Sequence, residues 1–185
     1  MRILVYDLVS ENRSAVKGSR FERKIRNLRV AVTWMLHQLG IQCTESVILV
    51  PDTRAPQVED VANRIMEMYS RVLSEAEGAL GVALPRPVIM LLSITKDQFT
   101  AFRKLAERRL REMLEANIER VRTIAKNIDE IDDPDRARSL VSSLRRLKYE
   151  WLNIRKHVVD LRIGIKDDID RLVRMIDDVI ASLKG

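Results

Sequence analysis

Apolar positions fall into two regimes along this chain. Up to about residue 95, short apolar runs alternate with stretches in which apolar residues recur every three or four positions. Residues 2–8 hold an apolar run too short for a helix, which predicts a strand ending at Asp7. Ser19-Arg20-Phe21-Glu22 has the form of a capping box, and Phe21, Ile25, Leu28, Val32, Met35 and Leu39 follow it as one helical stripe closed by Gly40. Glycine there is expected to supply a left-handed turn. CTESVILVP reads as a second strand stopped by Pro51, and a second helix starts near Pro56 with Val58, Val61, Ile65, Met68 and Val72 as its stripe. VIMLLSI, residues 88–94, predicts a strand buried on both faces.

Beyond Thr95 the pattern is helical throughout. Thr95-Lys96-Asp97-Gln98 is a second capping box, opening a helix to about Asp129 with a looser stripe from Phe102 through Leu110, Leu114 and Val121. IDDPD interrupts it, and Asp133-Pro134 caps the next helix. Leu140, Leu144, Leu147, Trp151, Ile154, Val158, Leu161 and Ile165 then repeat in alternating steps of four and three. After a slip beside Gly164 the seam resumes at Ile169, Leu172, Ile176, Val179 and Leu183. A short break between two helices predicts an antiparallel hairpin. The earlier helix spans roughly 50 Å and an unbroken 134–184 helix roughly 75 Å, which would leave about 25 Å of seam uncovered. Two outcomes follow: a bend at Gly164 that packs a third helix back, or pairing with another chain. The bend is the expected one, because Gly164 coincides with the slip. For a second chain, Leu147, Trp151, Leu172, Ile176 and Val179 are the candidate oligomerisation residues.

Composition narrows the chemistry. Apolar residues make up 46% of the 185 and aromatic ones 4%, so the cores must be aliphatic. Charged residues reach 32%, which with few Asn, Gln and Cys fits a thermophilic protein. Cys43 is the sole cysteine, so intrachain disulfides and four-cysteine zinc sites are excluded, and His37 and His157 are too few for a histidine-rich metal site. Asp7 and Glu11 stand where a signal peptide would keep its apolar region, and no run is long enough to span a membrane, so the expected location is cytoplasmic. Catalytic motifs built on glycine-rich loops or paired histidines are absent, leaving Asp7 as the only candidate metal ligand. Its plainer role is a loop cap or a solvated rim residue.

Net charge is +6, and its distribution is uneven. Arg13, Lys17, Arg20, Arg23, Lys24, Arg26 and Arg29 are opposed over the same stretch only by Glu22. Such a run suits phosphate contact without sequence preference, or else a solvated face. Tyr6, Trp34, Tyr69 and Phe21 are scattered and read as core, so duplex backbone binding is favoured over base stacking.

VYDL at the end of the first strand, RFERKIRNL in the first helix, LG, then TESV and a closing VIMLLSI strand resemble the Cas-two family of small CRISPR-associated adaptation proteins, over residues 1–95. The resemblance implies a ferredoxin-like domain that dimerises and binds double-stranded DNA. It also implies a divalent metal, Mg or Mn, at Asp7, with Arg20, Arg23 and Lys24 on the basic helix and Ser46 on the second strand. Thr44 and Ile48 depart from the family pattern, and one strand of a ferredoxin-like sheet is missing from the reading. Without it the order βαβαβ would favour a small parallel sheet.

The expected architecture is therefore α+β: a small ferredoxin-like α/β domain over 1–95, then a long antiparallel helical hairpin or three-helix coiled-coil arm over 96–185. The expected function is a nucleic-acid-associated homodimer or higher oligomer that grips duplex through its basic helix and uses the arm for assembly or a protein partner. Two alternatives stand beside it: a self-associating coiled-coil scaffold, and a metal-dependent nuclease using Asp7. Non-catalytic action is favoured.

Overall fold

A computed structural model describes residues 1–9, 16–131 and 133–183, without the side chain of Glu130. The chain divides into two compact units, Met1–Phe102 and Arg103–Gly185.

The first unit runs β1 (Arg2–Asp7), α1 (Arg20–His37), β2 (Ile41–Thr44), β3 (Val47–Val50), α2 (Gln57–Leu80) and β4 (Val88–Ser93), followed by the start of α3 (Lys96–Lys126). The sheet order is β2-β3-β1-β4, and every neighbouring pair is antiparallel. The strand missing from the sequence reading is found here. What reads as one strand over CTESVILVP is the end of β2, a two-residue turn at Glu45-Ser46, and β3. Neither turn residue has positive φ, so the glycine or asparagine that usually signals a tight hairpin is not required. The register slips between Gln42 and Thr44, leaving Cys43 at an irregularity of the ladder. With this hairpin in place, the parallel βαβαβ alternative is excluded.

Alternation along β1 sends Leu4 and Tyr6 to the helix-covered side, where they join Ile48, Val50, Ile89 and Leu91. Against them α1 presents Phe21, Ile25, Leu28, Val32 and Leu36, and α2 presents Val58, Ile65, Tyr69, Leu73 and Ala76. Ser19 Oγ accepts from the Phe21 N–H at 3.2 Å, while Glu22 Oε2 accepts from the Gly18 N–H at 2.7 Å. The expected box is thus closed one residue further out. Glu77 Oε1 accepts from the Leu84 N–H and Oε2 from Arg86, both at 2.8 Å. The Leu84 N–H first, then Arg86, hold the Glu77 carboxyl below its ordinary range.

Two expectations are corrected. β4 is an edge strand rather than one buried on both faces. Only Ile89 and Leu91 face the helices, and Val88, Met90 and Leu92 on the opposite side are 47%, 47% and 43% exposed. Gly40 is not left-handed; the positive-φ glycines are Gly18 and Gly81, and Gly81 closes α2. Gly40 is required by proximity: a Cβ there would sit 2.1 Å from the Leu49 carbonyl oxygen on β3.

In the second unit, α3 leads through a short 3-10 helix (Ile128–Glu130) to α4 (Pro134–Asp160) and α5 (Lys166–Ser182). The Thr95/Gln98 box is reciprocal: Thr95 N–H donates to Gln98 Oε1 at 2.9 Å, and Gln98 N–H to Thr95 Oγ1 at 3.3 Å. Asp133 Oδ1 accepts from the Asp135 N–H at 2.9 Å to start α4. The chain bends between α4 and α5, and the seam folds on itself. Lys148 pairs with Asp177 at 2.6 Å and Arg155 with Asp170 at 2.5 Å. Positions later on α4 meet positions earlier on α5, so the two helices are antiparallel. Gly164 lies in the bend, but the left-handed residue is Arg162, at φ 54°. Helix α3 joins through Arg120, which donates to Ser143 Oγ at 3.1 Å, and Arg111, which donates to the Gly164 carbonyl at 3.3 Å.

Leu147, Trp151, Leu172, Ile176 and Val179 are consequently interior residues of one chain, each at most 9% exposed. The uncovered overhang of a continuous 134–184 helix does not exist, and with it goes the reason for assigning these five to a contact between chains. No helix of the described residues is long and apolar enough to cross a membrane.

Gly40→Ala is expected to destabilise by about 2–3 kcal/mol, because the methyl must displace β3 backbone. Urea unfolding checks this, and an unchanged midpoint would contradict it. The Arg155 hydrogen bond, with further help from Lys166, lowers the Asp170 carboxyl below its ordinary value. That contribution is complete above about pH 4 and is lost as pH falls through the lowered folded value. Asp170→Asn should therefore flatten the acid-side fall in stability, followed by urea unfolding at stepped pH; equal slopes for both proteins would refute it.

Candidate functional site

Helix α1 carries most of the positive stretch. Its apolar stripe is turned to the sheet, so the intervening positions point outward: Arg20, Arg23, Lys24, Arg26 and Arg29 are all exposed. Lys17 is exposed just before the helix, and Arg13 lies outside the described residues. The cations differ in their local engagement. Lys24 Nζ is held by both Glu75 oxygens, at 2.8 and 2.9 Å, and this pairing lowers the Glu75 carboxyl. Arg20 lies over the Phe21 ring with its Cζ 4.9 Å from the centroid. Lys17, Arg20, Arg23 and Arg26 form no ion pair among the described residues. The one acid in this stretch, Glu22, is engaged by the Gly18 amide. The outward face of α1 therefore carries an excess of positive charge, offset in part by Glu75 and Glu22.

Trp34 belongs to that face. It was expected in the core, and it is 55% exposed, with Val30 one turn earlier at 65%. The signal was present in the sequence: Trp34 lies off the stripe defined by Phe21, Ile25, Leu28 and Val32. Tyr6, Phe21 and Tyr69 are buried as expected.

Two further groups of cations, on α3 and α4, are more engaged. Arg111 pairs with Glu107 at 2.8 Å and with Asp168 at 3.5 Å, and Arg108 with Glu112 at 3.2 Å. Lys148 and Arg155 hold α5, leaving Arg145, Arg146 and Lys156 exposed on α4 beside the exposed acid Glu150.

Asp7 ends β1 opposite Val88 and is exposed. It lines a polar cleft of about 290 Å³ together with Tyr6, Leu8, Arg29, Thr33, Gln42, Glu45 and Ser46. Antiparallel pairing of β1 with β3 brings this about, since it sets Ser46 beside the end of β1; the Tyr6 N–H donates to the Ser46 carbonyl at 3.0 Å. Gln42 Nε2 donates to Tyr6 Oη at 3.2 Å and to the Glu45 carbonyl at 3.1 Å. Asp7, Arg29 and Ser46, far apart in sequence, thus share one cleft. Among the described residues, Asp7 and Glu45 are its only carboxylates, and no group of three or more His, Cys, Asp or Glu is suited to a metal. Cys43 is buried, with its Sγ 3.6 Å from the Ile41 carbonyl, and His157 is buried on α4.

No protein-family model, curated protein or solved structure matches this chain. The functional reading rests on the fold and on side-chain placement.

Proposed function

We propose that the protein binds the phosphate backbone of nucleic acid through the outward face of α1. The observation that carries this reading is that Lys17, Arg20, Arg23 and Arg26 are exposed within ten residues and form no ion pair among the described residues, while Lys24 is diverted to Glu75 and Arg20 feels the same carboxylate at longer range. Arginine guanidinium forks suit phosphate oxygens, and each phosphate neutralised releases counterions. The βαββαβ order with its antiparallel sheet supports a ferredoxin-like domain as the platform, with α1 laid across one face. Phosphate contact of this kind requires no catalysis. The nuclease alternative, in which Asp7 of two chains would meet around a metal, has less support, because Asp7 and Glu45 are the carboxylates of this cleft among the described residues.

Self-association is a second reading, and β4 favours it where the helical seam no longer does. An uncharged edge strand with Val88, Met90 and Leu92 exposed and one row of backbone groups unpaired suits pairing with a second copy.

Affinity for nucleic acid is expected to fall steeply with salt, with a log–log slope of about −3 to −4 for four cations, and Arg23→Gln with Arg26→Gln should flatten it by about 2. Retardation across a salt series checks this; a flat response in the native protein would refute the reading. For the second reading, solution mass should rise with concentration and Met90→Lys should abolish the rise. A monomer at every concentration would exclude it.

A further inference from the structure

Exposed cations explain attraction to phosphate, but they do not explain Trp34. A free indole on the surface of a helix is a large apolar group left in water. Here it lies on the same outward side of α1 as Arg23 and Arg26, about two turns beyond Arg26. Arg23, Arg26, Val30 and Trp34 follow at intervals of three, four and four residues, so they lie in one line along the outward side of α1. The line is about 16 Å long, the reach of a few nucleotides. Its arginine end meets phosphate, and its far end offers a flat aromatic surface half open to solvent.

We propose that Trp34 stacks on an unpaired base, so that this face holds single-stranded nucleic acid in preference to duplex. The inference rests on the phosphate-binding reading and narrows its ligand. In a duplex the base faces are stacked on one another and a protein meets only the edges in the grooves. An indole can cover a base only where the strand is unpaired, and stacking of this kind tolerates any sequence. Val30 extends the apolar surface beside the ring, while Arg23 and Arg26 track the backbone. An anionic bilayer could also receive a tryptophan among arginines. The single-file arrangement favours a strand, and the test separates the two.

The protein contains two tryptophans, and Trp151 is 1% exposed, so fluorescence changes on binding report Trp34, with Trp34→Phe as the control. The full chain is titrated with a short oligothymidylate, with the same oligonucleotide annealed to its complement, and with phosphatidylserine-containing vesicles. Single strand is expected to quench the emission and to bind roughly tenfold tighter than duplex at equal salt. Trp34→Leu should erase that preference and leave duplex affinity in place, with thermal melting confirming the fold. Arg23→Gln with Arg26→Gln should weaken both forms alike. Equal binding of both forms, unchanged in Trp34→Leu, would overturn the stacking role and leave the phosphate reading standing. No binding to either form would overturn both. A blue shift with vesicles and no response to oligonucleotides would assign the indole to lipid instead.

Discussion

The rotation of α1 about its own axis is the constraint on which the rest of the N-terminal unit depends. Phe21, Ile25, Leu28, Val32 and Leu36 are each at most 8% exposed. Burying such a side chain contributes about 1.5–3 kcal/mol, so together they outweigh the Lys24–Glu75 pair, which is exposed and screened by water. Turning the helix by one residue would expose this stripe and drive arginines toward the sheet. The apolar stripe therefore decides which side chains face water. The outward set, Arg23, Arg26, Val30 and Trp34, is the geometric complement of the core. Function on this helix follows from what packing leaves over.

That logic also determines what could be read from the sequence. Where periodicity was long and its caps explicit, as in α1 and at the start of α3, stripe and termini were legible. Short-range sterics were not. The Glu45-Ser46 turn lacks the glycine that advertises a hairpin, so two four-residue strands looked like one. Gly40 was recognised as a stop, but its reason is a carbonyl oxygen nine residues along the chain, at Leu49. The apolar run of β4 could not reveal that it would lie at an edge, because strand order is set by the crossovers of α1 and α2. Asp7, Arg29 and Ser46 were each singled out, but only the pairing of β1 with β3 places them in one cleft.

The C-terminal unit shows the complementary case, in which the apolar stripe is legible and its consequence is not. Such a stripe demands cover without saying from where. The bend at Arg162–Gly164 lets α5 supply it, and the ion pairs Lys148–Asp177 and Arg155–Asp170 set the register. Trp151, a large wedge at a seam position, ends in the interior of its own chain. The two tryptophans thus have opposite roles: one fills a core and the other remains on a basic surface.

Oxidative labelling of the intact protein, read by mass spectrometry residue by residue, tests the orientation of α1 most directly. Trp34 is expected to be modified rapidly, with Trp151 and Phe21 protected. Protection of Trp34 equal to that of Trp151 would mean that the helix presents a different face to water, and the site built on it would fall.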